Sequence, residues 1–416
     1  MAGIATIASA TREKLERARA AAARLAQLST EQKNHLLLQM ADALEAETPL
    51  VLAANEEDIA RAHFSGAMRD RLLLTPERMK EMAAAVREVS ALPDPVGEVI
   101  EQWERPNGLH IRKVRVPLGV VGIVYESRPN VTVDAAALAF KSGNAVVLRG
   151  GKEAARSNRA LAETLASVPV VPAGAIELLD SSTRDTVQEL ITARGLVDVV
   201  IPRGGTALIS HVIENATVPV IETGAGNCHV FVDESADLDM ASRIVLNAKT
   251  QRPSVCNAAE KLLVHASVAS VFIPRMVREL TNAGVEVRGD DATLQLAPEV
   301  KPASEEDWSE EYLRLCMAIR VVSGVEHAIE HINRYSTKHS EAIITANEDH
   351  ARRFLRLVDS ATVYWNASTR FTDGAQFGFG AEMGVSTQKL HCRGPFALRE
   401  LTSSKYQIIG NGQVRG

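Results

Sequence analysis

Hydrophobic residues recur with two different spacings along this chain. Between residues 8 and 62, apolar positions lie three or four apart among Ala, Leu, Glu, Lys and Arg, a spacing that predicts successive amphipathic helices. The tetrapeptide Ser29-Thr30-Glu31-Gln32 has the form of a capping box and predicts a helix start. From Leu118 onward, short apolar runs alternate with stretches of helical spacing. The chain therefore changes from a helical to an alternating pattern near residue 118.

Residues 119 to 221 are predicted to form five strands joined by four crossover helices. The strand candidates are GVVGIVY, NAVVLR, AIELL, VDVVI and VPVI, and the helix candidates are TVDAAALAFK, EAARSNRALAETLA, TRDTVQELITA and GTALISHVIEN. This alternation indicates a parallel sheet that is covered on both faces. Doubly wound sheets bind ligands at the carboxyl ends of their strands, so a nucleotide cofactor is the leading expectation.

A second α/β region begins near Gly226, with the apolar runs HVFV, KLLVH and MAIRVV and a predicted helix over 238–249. Two segments, 110–118 and 403–416, have the pattern of strands outside both regions. Because exposed strand edges are usually paired, we expect an arm that joins a neighbouring subunit in a homo-oligomer. The predicted domains are a cofactor domain (1–104 and 122–225), a catalytic domain (226–400) and an oligomerisation arm (105–121 and 401–416).

Composition narrows the classes of function. The 416 residues are 46% hydrophobic, enough for two or three domains. A net charge of -6 without a basic stripe argues against nucleic acid. No leader pattern or membrane-spanning run is evident, so we expect a cytoplasmic protein without membrane contact. The four cysteines (Cys228, Cys256, Cys316, Cys392) form no C-x-x-C pair, which argues against a disulfide framework and a zinc site.

Cys256 is the candidate nucleophile, because it lies in the loop-like run 251–258 between two patterned elements. A thiolate is a strong nucleophile at neutral pH and forms thioesters readily. A lone cysteine can equally be a small buried hydrophobic residue. Two other classes stay open: a thiol hydrolase or acyltransferase, for which no histidine motif is evident, and an oligomeric binding protein that keeps an enzyme fold without activity.

The cofactor candidates come from two glycine-bearing turns. No G-x-G-x-x-G follows the first strand; the chain continues YESRPNV instead. The runs RGGKEAARSNR and PRGGT each join a strand to a helix and can host a phosphate, although glycine pairs also occur in plain turns. Positive charge on the first turn, including Arg156, favours NADPH, which carries a 2′-phosphate. The candidate residues are Arg149, Gly150, Lys152, Gly204, Gly205 and Thr206.

Five longer motifs carry a family resemblance along nearly the whole chain. They are VYESRPNVTVDAAALAFKSGNAVVLRGGKEA, IETGAGNCHVFVD, QRPSVCNAAEKLLVH, HINRYSTKHSEAIIT and NASTRFTDGAQFGFGAEMGVSTQKLHCRGPFALRELTS. Through them the chain resembles the acyl-phosphate-reducing members of the aldehyde dehydrogenase superfamily. The resemblance implies that superfamily's α/β fold, with a parallel-sheet cofactor domain, an α/β catalytic domain and a small β oligomerisation arm.

The same resemblance implies an activity. It is the NADPH-dependent reduction of L-glutamyl 5-phosphate to L-glutamate 5-semialdehyde, with release of phosphate, through a thioacyl intermediate on Cys256 in proline biosynthesis. Glutamate 5-kinase could channel the unstable acyl phosphate. The alternatives are a related CoA-independent aldehyde dehydrogenase and a thiol acyl-transfer enzyme.

Matching the superfamily motifs also implies roles for single residues. Glu222, 34 residues before the cysteine, matches the water-activating glutamate of hydrolytic members, although a reductase must keep water away. Glu311 resembles the glutamate that holds the nicotinamide ribose; a solvated acidic pair is the alternative. The backbone N–H of Cys256 is one expected oxyanion donor.

The second oxyanion donor and the substrate contacts are less defined. The superfamily's side-chain Asn falls at Arg128 by an ungapped count from Gly119, with Asn130 two residues on. Arg128 can instead clamp the substrate's phosphate or carboxylate, or form a surface salt bridge. Three residues fall where the superfamily lines its substrate pocket, with loop-surface polarity as the alternative interpretation: Ser368, Thr369 and Arg370.

Overall fold

The computed structural model describes residues 7–62, 64 and 66–415. The predicted domain ranges also include residues 1–6, 63, 65 and 416, which lie outside the described residues. The fold divides into two compact units. One comprises the described residues up to Thr223 with 378–384 and those from Phe396 onward, and the other comprises 224–377 and 385–395. The functions that we assigned to the domains stay predictions.

The helices and strands alternate after a helical amino-terminal part. The helices are α1 (Ser9–Leu25), α2 (Thr30–Ala46), α3 (Thr48–Arg61), α4 (Gly66–Leu72), α5 (Pro76–Ala91), α6 (Asn130–Lys141), α7 (Ala155–Ala166), α8 (Asp185–Ile191), α9 (Thr206–Asn215), α10 (Leu238–Thr250), α11 (Ala266–Asn282), α12 (Asp291–Leu296), α13 (Val325–Tyr335) and α14 (Glu348–Leu357). The strands are β1 (Val99–Glu104), β2 (His110–Pro117), β3 (Val120–Tyr125), β4 (Ala145–Arg149), β5 (Ile176–Leu178), β6 (Val199–Arg203), β7 (Cys228–Val232), β8 (Ala259–His265), β9 (Glu286–Gly289), β10 (Lys301–Pro302), β11 (Cys316–Val322), β12 (Ser340–Ile344), β13 (Thr362–Trp365), β14 (Gly384–Ser386), β15 (Gly394–Phe396) and β16 (Thr402–Ile409).

The amino-terminal helices confirm the three-to-four spacing. The predicted capping box starts α2: the side chain of Ser29 accepts a hydrogen bond from the N–H of Gln32, and the side chain of Gln32 accepts one from the N–H of Ser29. Two orphan donors at the helix start are thereby satisfied. The buried face of α2 repeats Leu36, Leu37 and Met40, as the sequence pattern predicts for an amphipathic helix.

The first unit contains a parallel four-stranded sheet in the order β5-β4-β3-β6. Every residue of β3 and β4 is buried, because helices cover both faces of such a sheet; apart from Arg149 at the end of β4, the two strands carry no charged residue. The four predicted crossover helices are α6 to α9 and are confirmed. The fifth predicted strand, VPVI, is wrong: it forms only an isolated bridge between Val220 and Val200. Pro219 has no N–H to extend a ladder, although its carbonyl accepts from Val200.

The second unit is built on a parallel seven-stranded sheet in the order β10-β9-β11-β8-β7-β12-β13. The runs HVFV, KLLVH and MAIRVV become β7, β8 and β11, and the helix predicted over 238–249 is α10, so these predictions are confirmed. Side chains such as Val230 and Phe272 pack on one face of the sheet, and Phe231 and Phe354 pack on the other. The sequence analysis missed four short strands of this sheet: β9, β10, β12 and β13.

A third, antiparallel sheet has the order β1-β2-β16. Strands β2 and β16 confirm the two predicted arm strands, whereas β1 was missed and falls inside the range 1–104 that we assigned to the cofactor domain. All of β1 is exposed, and so are Tyr406 and Ile408 on β16. Pairing of this arm with a neighbouring subunit stays a prediction.

Candidate functional site

The two glycine turns lie at the carboxyl edge of the four-stranded sheet. Gly150 and Lys152 follow β4, and Gly204, Gly205 and Thr206 follow β6. Strands β4 and β5 extend to one side of β3, while β6 lies on its other side. The strand order therefore reverses between β3 and β6, and ligands of open α/β sheets bind at the carboxyl ends that flank such a reversal.

A carboxylate already occupies this reversal point. The N–H of Gly205, at the start of α9, donates to Oε2 of Glu126 at 2.9 Å. A Cβ built on Gly204 would lie 2.7 to 2.9 Å from the Glu126 side chain, so a larger residue there would displace this exposed carboxylate. The start of α9 thus binds an oxyanion, as helix N-termini do. The sequence analysis missed Glu126, and the binding of a cofactor phosphate at this turn stays a prediction.

The two basic residues of the first turn differ in their surroundings. Arg149 is buried, and burial lowers its pKa. Its guanidinium donates to the carbonyls of Gly150 and Thr183 at 3.0 and 2.6 Å and to the hydroxyl of Thr186 at 3.2 Å. Lys152, by contrast, is exposed just before α7. Lys152 is therefore the better placed of the two to meet a phosphate, and the cofactor role of Arg149 stays a prediction.

Three further candidates of the first unit lie in loops or at a helix start. Arg128 is exposed, and its backbone N–H donates to the carbonyl of Glu126 at 2.6 Å. Asn130 begins α6 and donates from Nδ2 to Asp134 Oδ2 at 3.0 Å. Glu222 is half-buried in the loop after the Val220 bridge. These positions do not test the predicted roles, which are oxyanion donor for Asn130, substrate contact for Arg128 and activation of water for Glu222.

Cys256 lies at the amino edge of the seven-stranded sheet, in the loop that enters β8. It is partly exposed, whereas the three other cysteines are buried. Gly226, in the loop that enters the neighbouring strand β7, packs against its backbone. A Cβ built on Gly226 would overlap the carbonyl group of Cys256 and lie 2.7 Å from its Cα. Only glycine at position 226 therefore permits the observed path of the cysteine loop.

Glu311 joins the same edge from the loop that enters β11. Its Oε1 accepts the N–H of Gly226 at 2.6 Å. Burial raises the pKa of this carboxyl group, and the hydrogen bond from Gly226 partly offsets the rise. The structure thus brings Glu311 to the glycine beneath the cysteine, although its contact with a nicotinamide ribose stays a prediction.

The predicted substrate residues form a tight turn against the cysteine loop. Thr369 begins a short 3-10 helix and donates from its hydroxyl to the carbonyl of Asn257 at 2.7 Å. Arg370 donates from Nε to Oε1 of Gln251 at 2.9 Å, and Ser368 Oγ accepts the Arg370 N–H at 3.3 Å. The structure therefore brings this turn and the cysteine loop together, and it shows that the hydroxyls of Ser368 and Thr369 already serve the backbone.

Arg370 also places positive charge near the nucleophile. Burial lowers the pKa of Arg370, and electrostatic attraction to the Cys256 thiolate raises it. Because that attraction is mutual, the guanidinium favours the charged form of the sulfur. The sequence analysis could not find this pairing, since the two residues are more than a hundred positions apart and meet only through the turn.

Comparison with known proteins identifies the family of this chain. The model of the aldehyde dehydrogenase family matches residues 2–314. Gamma-glutamyl phosphate reductase of Koribacter versatilis (strain Ellin345) is 68% identical over 407 residues, covering 97% of this chain and 100% of the relative. The enzyme of that name from Moorella thermoacetica is 57% identical over 415 residues, covering 98% and 99%. The chain belongs to the gamma-glutamyl phosphate reductases of the aldehyde dehydrogenase family.

Solved structures of this family support the fold. Gamma-glutamyl phosphate reductase from Thermotoga maritima matches with a TM-score of 0.96 at 50% identity, covering 98% of this chain and 100% of that one. An acetylating aldehyde dehydrogenase from Geobacillus thermoglucosidasius matches with a TM-score of 0.69 at 18% identity, covering 98% of each chain, and shows the fold alone. The aldehyde dehydrogenase-like α/β fold implied by the sequence motifs is confirmed.

Two features of other protein classes are absent from the part of the chain that the structure describes. None of its helices is both long and apolar enough to cross a membrane. Nor do its His, Cys, Asp and Glu side chains form a group of three or more that could hold a metal ion.

Proposed function

We propose that this protein reduces L-glutamyl 5-phosphate to L-glutamate 5-semialdehyde with NADPH, releasing phosphate, as a step of proline biosynthesis. The observation that carries the proposal is the setting of Cys256, a partly exposed thiol whose loop is held by Gly226 and whose thiolate is attracted to Arg370. The names of the relatives supply the substrate.

In the proposed reaction the thiolate of Cys256 attacks the acyl carbon of the substrate. The C–S bond forms, the C–O bond to phosphate breaks, and a thioester remains on the enzyme. NADPH, when bound, supplies the hydride that reduces this thioester. The resulting thiohemiacetal anion collapses to the aldehyde and returns the electron pair to Cys256 Sγ. The backbone N–H of Cys256 is the proposed donor to the oxyanion at both additions.

The other residues have proposed roles that follow from their surroundings. The charge of Arg370 attracts the thiolate form of the sulfur and suits the charged end of an amino acid. Lys152 and the glycine turn before α9 meet cofactor phosphates, and the charge of Lys152 favours NADPH over NADH. Glu222 must not activate water, because hydrolysis of the thioester would waste the activated substrate.

We also propose a setting for the enzyme. The exposed β1-β2-β16 sheet joins copies of the chain into a homo-oligomer, because strand edges of this kind are usually paired. The enzyme works in the cytoplasm and receives its unstable substrate from glutamate 5-kinase.

The reverse reaction tests the proposed function. Purified protein receives glutamate semialdehyde, phosphate and NADP, and the formation of NADPH is followed by absorbance. We expect a signal that requires phosphate and falls at least about 1,000-fold in Cys256→Ala, because the nucleophile is lost. Cys316→Ala is the matched control, since this buried thiol donates towards Glu286 rather than to the cysteine loop.

Two results would overturn the proposal. A signal independent of phosphate would refute the acyl-phosphate chemistry, and full activity of Cys256→Ala would refute the thioacyl route. Titration with NADPH separates the rival thiol hydrolase or acyltransferase, which needs no nicotinamide cofactor. Comparing semialdehyde formation with acyl-phosphate hydrolysis in Glu222→Gln tests that residue; unchanged rates of both would exclude a role for its carboxylate.

A further inference from the structure

We propose that Cys228 is a positioning residue for the chemistry of Cys256. Its buried thiol holds the carbonyl oxygen of Cys256 and thereby fixes the peptide that presents the reactive sulfur. The inference rests on the proposed function, since it assumes that Cys256 is the nucleophile.

The contact itself is a hydrogen bond beneath the cysteine loop. Sγ of Cys228 donates to the carbonyl oxygen of Cys256 at 3.2 Å, within the range for sulfur donors. Gly226 packs against the same carbonyl group. The register of β7 on β8 shifts between Cys228 and His229, and bulges of this kind are frequent beside active sites, where they redirect a side chain. Cys256 is therefore held by its backbone from the adjacent strand.

The protonation state of Cys228 suits this role. Its side chain is fully buried, and burial raises the pKa of the thiol well above its ordinary value. Nearby acidic groups, first among them Glu341, raise it further. The sulfur therefore keeps its proton near neutral pH and acts as a donor, whereas a thiolate could not donate. The same burial keeps Cys228 from acting as a second nucleophile.

A buried polar network supports Cys228 from the other side. His339 Nδ1 lies 3.9 Å from Cys228 Sγ and shares a hydrogen bond of 2.8 Å with Ser340 Oγ. Ser340 Oγ shares a second one with Thr372 Oγ1 at 2.6 Å. The carbonyl of Thr372 accepts from Nδ2 of Asn257 at 2.8 Å, the residue after the nucleophile. These contacts form a ring that runs from the carbonyl of Cys256 to the side chain of Asn257, the next residue in the chain.

This ring determines where the reactive groups point. The carbonyl of Cys256 belongs to the peptide that joins it to Asn257, so fixing that carbonyl limits rotation on the carboxyl side of the Cys256 Cα. Both Sγ and the proposed N–H donor of Cys256 depend on the resulting orientation. Because a displacement of about 1 Å can cost about 100-fold in rate, a lost anchor should lower kcat while the affinity for substrate changes little.

The test compares variants that differ in one donor. Cys228→Ala removes the hydrogen bond, and Cys228→Ser keeps a donor at the same position. Cys316→Ala removes a buried thiol that donates towards Glu286. For each variant, kcat and KM are measured in the phosphate-dependent reverse assay. The rate at which iodoacetamide alkylates Cys256 is followed by mass spectrometry, and thermal unfolding checks the fold.

We expect Cys228→Ala to lower kcat about 10- to 100-fold with KM changed less than about threefold. Alkylation of Cys256 should slow in parallel. The serine variant should restore kcat to within about fivefold of the parent, a rescue that mere filling of space would not produce. Cys316→Ala should match the parent. If Cys228→Ala does not fold, the isosteric pair Cys228→Thr and Cys228→Val makes the same comparison of donor with no donor.

The inference is overturned if Cys228→Ala keeps the parent's kcat, or if the folded donor and non-donor variants are equally impaired. Failure of the proposed function gives a different result. If Cys256→Ala retains activity, the thioacyl route falls whatever the Cys228 variants show. If Cys256 is essential and the donor makes no difference, only the positioning role of Cys228 falls.

Discussion

The four-stranded and seven-stranded sheets place their functional candidates at opposite ends of their strands. In the first sheet the glycine turns follow β4 and β6, at the carboxyl edge. In the second sheet Cys256, Gly226 and Glu311 all precede strands, at the amino edge. Both sheets are parallel, so a rule that ligands bind at carboxyl ends predicts the first arrangement and misses the second.

The carboxyl edge of the seven-stranded sheet is closed: at the point where the strand order reverses, its own side chains form hydrogen bonds with one another. The strand order of this sheet reverses between β7 and β12, and Asp233 follows β7 at that point. Its Oδ2 accepts from Thr345 at 2.7 Å, from His350 at 3.0 Å and from Ser235 at 3.3 Å. At the reversal point of the first sheet, by contrast, the glycine turn before α9 holds only the side chain of the exposed Glu126.

The two edges also supply different electrostatics. Helices α7 and α9 start just after the glycine turns, and their N-termini favour anions. In contrast, α10 ends at Thr250, shortly before the cysteine loop, and a helix C-terminus disfavours a thiolate. Under the proposed mechanism a side chain has to supply the positive charge at the amino edge, and Arg370 is the candidate. We therefore propose that the first sheet relies on backbone N–H groups and the second on a guanidinium.

The largest effect should come from adding one methyl group at the amino edge. We expect Gly226→Ala to lower kcat at least about 100-fold, because its Cβ would overlap the carbonyl of Cys256 and move the nucleophile. The reverse assay measures the rate, and circular dichroism checks the fold. Gly324→Ala, at the start of α13, is the control, since its Cβ would lie 3.9 Å from the nearest atom and should leave kcat within about threefold. Comparable kcat values for the two variants would contradict this account of the amino edge.

Asp233, at the closed carboxyl edge, should affect stability rather than activity. We expect Asp233→Asn to lower the free energy of unfolding by about 2 to 4 kcal/mol, measured by urea titration, because three hydrogen bonds converge on one buried carboxylate. The exposed Asp349→Asn on α14 should change it by less than about 0.5 kcal/mol. The kcat of folded Asp233→Asn should equal that of the parent; a large fall would show that this edge takes part in catalysis.

The same carboxylate gives a pH dependence. Burial raises the pKa of Asp233, but hydrogen bonds from Thr345 and His350 outweigh it and hold the pKa below its usual value. A depressed pKa means that the ionised carboxylate stabilises the fold above about pH 3.9, the ordinary value for Asp, and that this contribution is lost as the pH falls further. Unfolding of Asp233→Asn should therefore depend less on pH between about 4 and 2 than unfolding of the parent.

The sequence predicted the elements whose signal is local. Alternating runs specified β3, β4 and β6, and the five long motifs specified the family and made Cys256 the candidate nucleophile. Strand β13 escaped because it has only four residues, none of them fully buried, and ends in the exposed Trp365. VPVI was assigned to a strand because its composition is apolar, although Pro219 limits it to a bridge.

Contacts between distant positions explain what the sequence could not provide. Glu126 accepts a hydrogen bond from Gly205 at the point where the strand order reverses. Cys228, at the start of β7, donates one to Cys256 in the loop that enters the neighbouring strand β8. No local pattern marks either pair, because each depends on which strands become neighbours. Gly226, the second glycine of the motif IETGAGN, was a local signal for the site around Cys256. Its importance depends on the carbonyl group of Cys256, which packs against it in the structure.

Lys152 should control the choice of cofactor at the carboxyl edge of the four-stranded sheet. We expect Lys152→Gln to lower the preference for NADPH over NADH about 10-fold, because one charge-assisted contact to a phosphate is lost. The preference is the ratio of kcat/KM values for NADP and NAD in the reverse assay. Arg159→Gln changes an exposed cation farther along α7 and should leave the ratio unchanged. An unaltered ratio in Lys152→Gln would transfer this role to another residue, with Arg149 as the next candidate.

The smallest effect should come from Glu126, whose carboxylate occupies the start of α9. A cofactor phosphate has to displace it, so Glu126→Gln should lower the KM for NADP about two- to fivefold, the size of one charge at a helix end, with kcat unchanged. Glu214→Gln, near the opposite end of the same helix, should not change KM. A rise in KM for Glu126→Gln would mean that the carboxylate assists the cofactor rather than competing with it. The first sheet would then bind its ligand through a side chain, as the second sheet does, and the contrast between backbone and side-chain recognition would no longer hold.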